Sequence, residues 1–327
     1  MIAIFAALAL GRVPEPPPPT PIIAHEWGVQ LFAGPEAALQ SPPLPGWVHR
    51  APAAQTPVRT LPPDSGARAI PVLQLYAELE GVTPLAVAVG FSHGESSTWY
   101  PQVDQRLPQR YAGSGPQLVW EQLLLSPSPL ESPPTPAPAW VKALRAEPAL
   151  WISRGPEEDR FLFYEATTWE QPAVVATERP DRPGWFDLRN RSDWTAEAVW
   201  VIQRREGRLH VARAGALAPG DTTLAITEGS SEQEVRGALM EEIAAPITPQ
   251  RWCLLQVQRD HLLTPGEATA MLDLWLPRLL PEQGITVLYR ESQAGLDALA
   301  PLSLSPSAGT CLYSLNRLSL VGWRLEE

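Results

Sequence analysis

A chain of 327 residues and 35.8 kDa, 44% hydrophobic, has enough apolar surface for one large domain or two modest ones and needs no staple to build a core. Its formal charge of −11 and pI near 5.0 argue against a nucleic-acid backbone or an anionic membrane surface as partner, because both require a cationic face. Arginine supplies nearly all the positive charge, with Lys142 the one lysine among 25 basic residues, which reads as genome composition rather than phosphate recognition. The 38 prolines and 13 tryptophans are unusual, and they predict punctuated strands and aromatic cores or stacking platforms.

Residues 2–10 form an apolar run too short to span a bilayer and of the length of a signal-peptide core, with Ala7, Leu8 and Ala9 at cleavage spacing. Residues 1–20 are therefore read as a signal peptide or apolar N-terminus plus a proline-rich spacer. The expected location is the periplasm or the extracellular space. The spacer leads into a strand over 22–32 that carries the polar pair His25 and Glu26 in apolar company. Residues 34–68, rich in Pro, Gly and Ala, predict an irregular surface excursion. Period-two alternation at Leu73, Leu75, Ala77 and Leu79 and again at Leu85, Val87, Val89 and Phe91 predicts a hairpin turned through Gly81.

Strands follow over 118–125, 161–164, 173–177 and 185–188, with a solvated low-complexity loop at 126–139, where prolines leave too few amides for an interior strand. A second hairpin joins 198–202 to 209–211. Ser231 to Glu234 and Thr264 to Glu267 are capping boxes, each opening a helix: Val235, Leu239 and Ile243 stripe the first, and Ala268, Met271, Leu272, Trp275 and Leu279 the second. Pro277 predicts a kink in the second and Pro281 its end. Strands are expected at 251–258, 285–289 and the C-terminus. The fold class is thus α+β: a mainly antiparallel, sandwich-like β domain over 21–228, then a smaller mixed part over 229–327 with two capped helices, either separate or within the same domain. Cys253 and Cys311 lie in strand-like runs and either pair or stay as buried thiols.

His25-Glu26-Trp27-Gly28, Trp99-Tyr100-Pro101, Phe161-Leu162-Phe163-Tyr164 and a C-terminal block of Ala270-Met271, Trp275, Gly284, Val287-Leu288-Tyr289, Asp297 and Pro301-Leu302 together resemble a family of uncharacterised exported bacterial proteins. The resemblance spans most of residues 25–325. It implies export and a shared fold, and no mechanism.

Three constellations carry chemistry. His25 with His93 and Glu95 has the donor types of a divalent-metal site with an open position, and Glu26 would then be the general base of a metal-dependent hydrolase. Adjacent side chains in a strand face opposite ways, however, so His25 and Glu26 are expected on different sides. Trp169, Trp185 and Trp194, beside Glu165, Glu170, Asp187 and Asp193, have the composition of a sugar-binding cleft. The chain has no G-x-S-x-G elbow, phosphate loop, dinucleotide fingerprint or H-E-x-x-H helix. The leading expectation is a non-enzymatic binding or structural component of the cell envelope with no cofactor and a glycan or envelope protein as partner. A metal-dependent hydrolase and a carbohydrate-binding protein are the alternatives.

Overall fold

The computed structural model describes residues 18–32, 42–52, 66–107, 117–248, 250, 253, 256–260, 262–280 and 282–325. The expected signal segment and most of the 34–68 excursion lie outside these residues. What is described is α+β and mostly strand.

The strand Thr20–Phe32 is buried along nearly its whole length, so both of its faces need cover. It pairs in parallel with Thr310–Leu325 on one edge and antiparallel with Gly66–Tyr76 on the other. Beyond Thr310–Leu325 the sheet continues through Gly284–Glu291, Ala196–Arg205, Arg208–Leu217 and Glu228–Ser230, with the short strand Gln258–Asp260 also on Thr310–Leu325. Beyond Gly66–Tyr76 it continues through Leu162–Thr168, Gly94–Tyr100 and His49–Arg50, giving eleven strands. Strands from both sides of residue 228 therefore alternate within one sheet.

Strand parity sorts the layers. Trp27, Val29 and Leu31 pack with residues of helices α1 (Ala139–Ala146), α2 (Glu232–Ile243) and α3 (Pro265–Leu279) on one face. Ile22 and Ala24, on the other face, join a six-stranded sheet made of Leu302–Pro306, Thr83–Val89, Leu118–Ser126, Trp151–Arg154, Glu157–Asp159 and Gln105–Arg106. Phe32, further along that same face, packs with the three-stranded sheet Val174–Glu178, Trp185–Asn190 and Thr222–Ile226. A fourth helix, α4 (Gln293–Leu299), is capped by the Ser292 hydroxyl, which accepts from the Gly295 amide.

Helix α3 forms for local reasons that the sequence states. Thr264 Oγ1 accepts from the Glu267 amide at 3.0 Å and Glu267 Oε2 from the Thr264 amide at 2.8 Å, so two orphan donors are satisfied reciprocally. Ala268, Met271, Leu272, Trp275 and Leu279 are all buried, and burial of a side chain of the Leu or Met kind contributes about 1.5–3 kcal/mol each. Pro277 lies inside the helix, which ends at Leu279.

The expected hairpin at 70–91 is corrected. Gly66–Tyr76 pairs within the large sheet, whereas Thr83–Val89 pairs with Leu118–Ser126 and Leu302–Pro306 in the six-stranded one. Leu73 and Leu75 meet Leu85, Val87 and Val89 in one core, face to face across two layers. Alternation is the same whether two strands pair edge to edge or pack face to face. The expected strand at 251–258 is also corrected: among the described residues only Gln258–Asp260 is strand, and Cys253 lies outside it. Cys253 and Cys311 are joined in a disulfide, with their Cα atoms 6.1 Å apart.

Candidate functional site

Because His25 and Glu26 are neighbours on one strand, the sheet separates them. His25 points to the helical face, where Nδ1 donates to Glu267 Oε2 at 2.6 Å. The capping glutamate of α3 therefore also orients the imidazole, and it is itself fully buried. The Asn316 amide nitrogen donates to the Leu262 carbonyl at 3.0 Å and lies 3.2 Å from His25 Nε2, so that ring nitrogen acts as acceptor. Both imidazole nitrogens are thus engaged. The Tyr76 ring packs on His25 with centroids 5.1 Å apart, and burial, reinforced by Glu267 and Glu147, pushes its hydroxyl pKa well above the ordinary value.

Glu26 faces the β layers. It accepts from the Tyr164 hydroxyl and from Arg317 Nε, while Arg317 Nη2 donates to the Ala300 carbonyl at 2.7 Å and Nη1 to Asp297 at 3.4 Å. Burial opposes the charge on Arg317; the charges of Glu26, Tyr164 and Asp297 outweigh it and hold the guanidinium pKa above its usual value. Glu26 is one half of a buried ion pair.

His93 is exposed beside a cleft on the β face, and Glu95 forms an ion pair with Arg106 at 3.2 Å. His25, His93 and Glu95 thus occupy three different environments, and they do not fit a shared metal ion. Among the described residues no group of three or more His, Cys, Asp or Glu is arranged to hold one.

Of the three tryptophans, two come together. Trp169 and Trp194 line one cleft of about 390 Å³, with His93, Gln30, Glu170, Tyr289 and Glu291. Trp185 stands apart on the three-stranded sheet, with the Arg182 guanidinium 5.2 Å from its ring centroid, and Asp187 on the same strand is held by Arg179. Trp169 follows directly on the strand Leu162–Thr168, and its amide donates to the His93 carbonyl at 2.9 Å. Trp194 sits on a loop organised by Asn190, whose amide nitrogen donates to the Trp194 and Leu217 carbonyls at 2.7 and 2.8 Å.

The floor of this cleft is polar and fixed. Gln30 is 1% exposed, and its amide donates to Glu170 Oε2 at 2.6 Å. Tyr289 Oη accepts from the Ala173 amide at 2.8 Å, and Glu291 is buried at the end of the same strand as Tyr289. Gly295 is required here, because a Cβ would come within 2.3 Å of Glu291 Oε1 and 2.5 Å of Trp194 Nε1. The indole nitrogen of Trp194 is buried and has no hydrogen-bond partner among the described residues. Sequence reasoning missed Gln30, Tyr289 and Glu291. The parity of the first strand would have placed Gln30 on the Glu26 face, but no sequence signal joins 30 to 170 or 291.

No known protein-family profile matches the chain, and no curated protein matches it. Solved structures that align with it include the Fcho1 mu homology domain of Danio rerio with bound Eps15 peptide, at 9% identity over 94% of this chain and 98% of that one, with a TM-score of 0.35. Another is the yeast delta-COP-I mu-homology domain complexed with a Dsl1 WxWxV peptide, at 8% identity over 94% and 97%, with a TM-score of 0.34. Likeness at this level assigns neither fold nor activity to the chain.

Proposed function

We propose that the protein is an exported, non-enzymatic binding component of the cell envelope, and that the cleft between Trp169 and Trp194 takes a glycan. The observation that carries this reading is the convergence of two partly exposed indoles with a buried amide and buried carboxylates in one cleft. Indole faces cover the apolar faces of a sugar ring, and fixed amide and carboxylate groups match its hydroxyls, so position and orientation are both selected. Trp185 plays no part in the ligand set. The Cys253–Cys311 disulfide supports export, since such bonds persist in oxidising compartments. Packing of the two smaller sheets on one face of the large one supports a sandwich-like reading of the β-rich part.

A glycan array probed with the intact oxidised protein tests the proposal. Retention on a subset of glycans that is abolished in both Trp169→Ala and Trp194→Ala supports it. Retention on none, or retention unaffected by either substitution, removes it.

A further inference from the structure

A second cleft, of about 440 Å³, opens on the opposite face of the large sheet. Its floor is His25 and Asn316, and one wall is formed by residues 245–248, 250 and 258–260 with Leu262. Little other than covalent structure holds that wall. At one end the Ala245 amide donates to the Leu263 carbonyl at 2.8 Å. At the other, the three exposed residues Gln258, Arg259 and Asp260 pair with Ser314, Leu315 and Asn316, and Gln293 donates to the Asp260 carbonyl at 2.9 Å. The Arg259–Asp297 ion pair joins side chains 44% and 42% exposed, and pairs this exposed contribute about 0–1 kcal/mol. The remaining tie is the disulfide from Cys253, within the wall, to Cys311, at the start of the strand that supplies Tyr313, Ser314 and Asn316 to the same cleft.

We propose that this disulfide is the clasp of a thiol-sensitive wall: its reduction by a dithiol frees residues 245–260 and uncovers His25. In the exchange a thiolate of the dithiol attacks one cysteine sulfur and breaks the Cys253–Cys311 bond. The second thiol then closes the reductant into a cyclic disulfide, leaving two protonated cysteines. Loosening the wall up to Leu262 loses the carbonyl that holds the Asn316 amide, and with it the contact that covers His25 Nε2. His25 is 2% exposed in the clasped form. The core helices and the glycan cleft lie elsewhere and keep their structure, so opening is local.

Carbethoxylation of individual histidines by diethyl pyrocarbonate, read by peptide mass spectrometry, tests this, with exposed His93 as internal reference. Three samples are compared: the oxidised protein, the protein reduced with dithiothreitol, and a Cys253→Ser, Cys311→Ser variant. The expected result is an increase of about tenfold or more in the His25 rate relative to His93 in both the reduced protein and the variant, with near-ultraviolet circular dichroism retained. An unchanged His25 rate in either opened form overturns the proposal. So does a rise accompanied by loss of the near-ultraviolet signal, which makes the disulfide a global staple.

Discussion

Four consecutive residues, His25 to Gly28, show how one strand serves two faces. Glu26 and Arg317 form a buried pair whose attraction offsets the cost of taking both out of water, and removing one partner leaves the other uncompensated. Arg317→Met is expected to lose about 3–5 kcal/mol in chemical denaturation. Adding Glu26→Gln should recover a large part of that loss, because a neutral amide no longer needs the guanidinium. Gly28 packs against Pro71, and a Cβ would approach the Pro71 Cα to 2.9 Å, so Gly28→Ala is expected to cost about 1–3 kcal/mol by the same measurement. At the surface, Arg154 holds the Asp104 carboxyl below its ordinary value of 3.8. A depressed carboxyl contributes stability that is present above the ordinary value and is lost as pH falls through the folded one. Melting temperature followed from pH 7 downward should therefore fall less below that ordinary value in Asp104→Asn than in the parent protein. The chemistry of His25 and Glu26 was visible as residue types. Their partners Glu267 and Arg317 were not, since they lie 242 and 291 residues away and only the closed sheet joins them.

Elements with strong local signals were the legible ones. Both capping boxes have the reciprocal bonds their residues allow, and Ser231→Ala should lower stability by about 1 kcal/mol, seen as a lower denaturation midpoint with unchanged slope. The hairpin at 196–217 turns where Glu206 and Gly207 adopt positive φ of 52° and 73°, a geometry that glycine accepts without strain. What local pattern could not supply was partner choice. The segments 66–76 and 83–89 both alternate, and layer crossing rather than pairing is decided by which apolar face each meets. Helix α1 escaped notice because its eight residues follow a proline-rich stretch; Trp140, Val141 and Leu144 bury it all the same.

At the scale of the molecule, the α+β class followed from the order of strands and helices, but the layering did not. The strand Thr310–Leu325 inserts between Gly284–Glu291 and Thr20–Phe32, so the two ends of the described chain complete one sheet. That insertion gives the sheet two covered faces and one cleft on each, with His25 floored under one and Gln30 under the other. The glycan reading belongs to the second cleft, where loops from four elements bring Trp169, Trp194, Glu170 and Glu291 together. The measurement that tests it most directly is calorimetric titration of the intact protein with a glycan retained on the array, repeated with Trp169→Ala and Trp185→Ala. The account predicts at least about tenfold weaker binding, some 1.4 kcal/mol, for Trp169→Ala and parent-like binding for Trp185→Ala. Equal affinity in all three, or a loss at Trp185 alone, would contradict it.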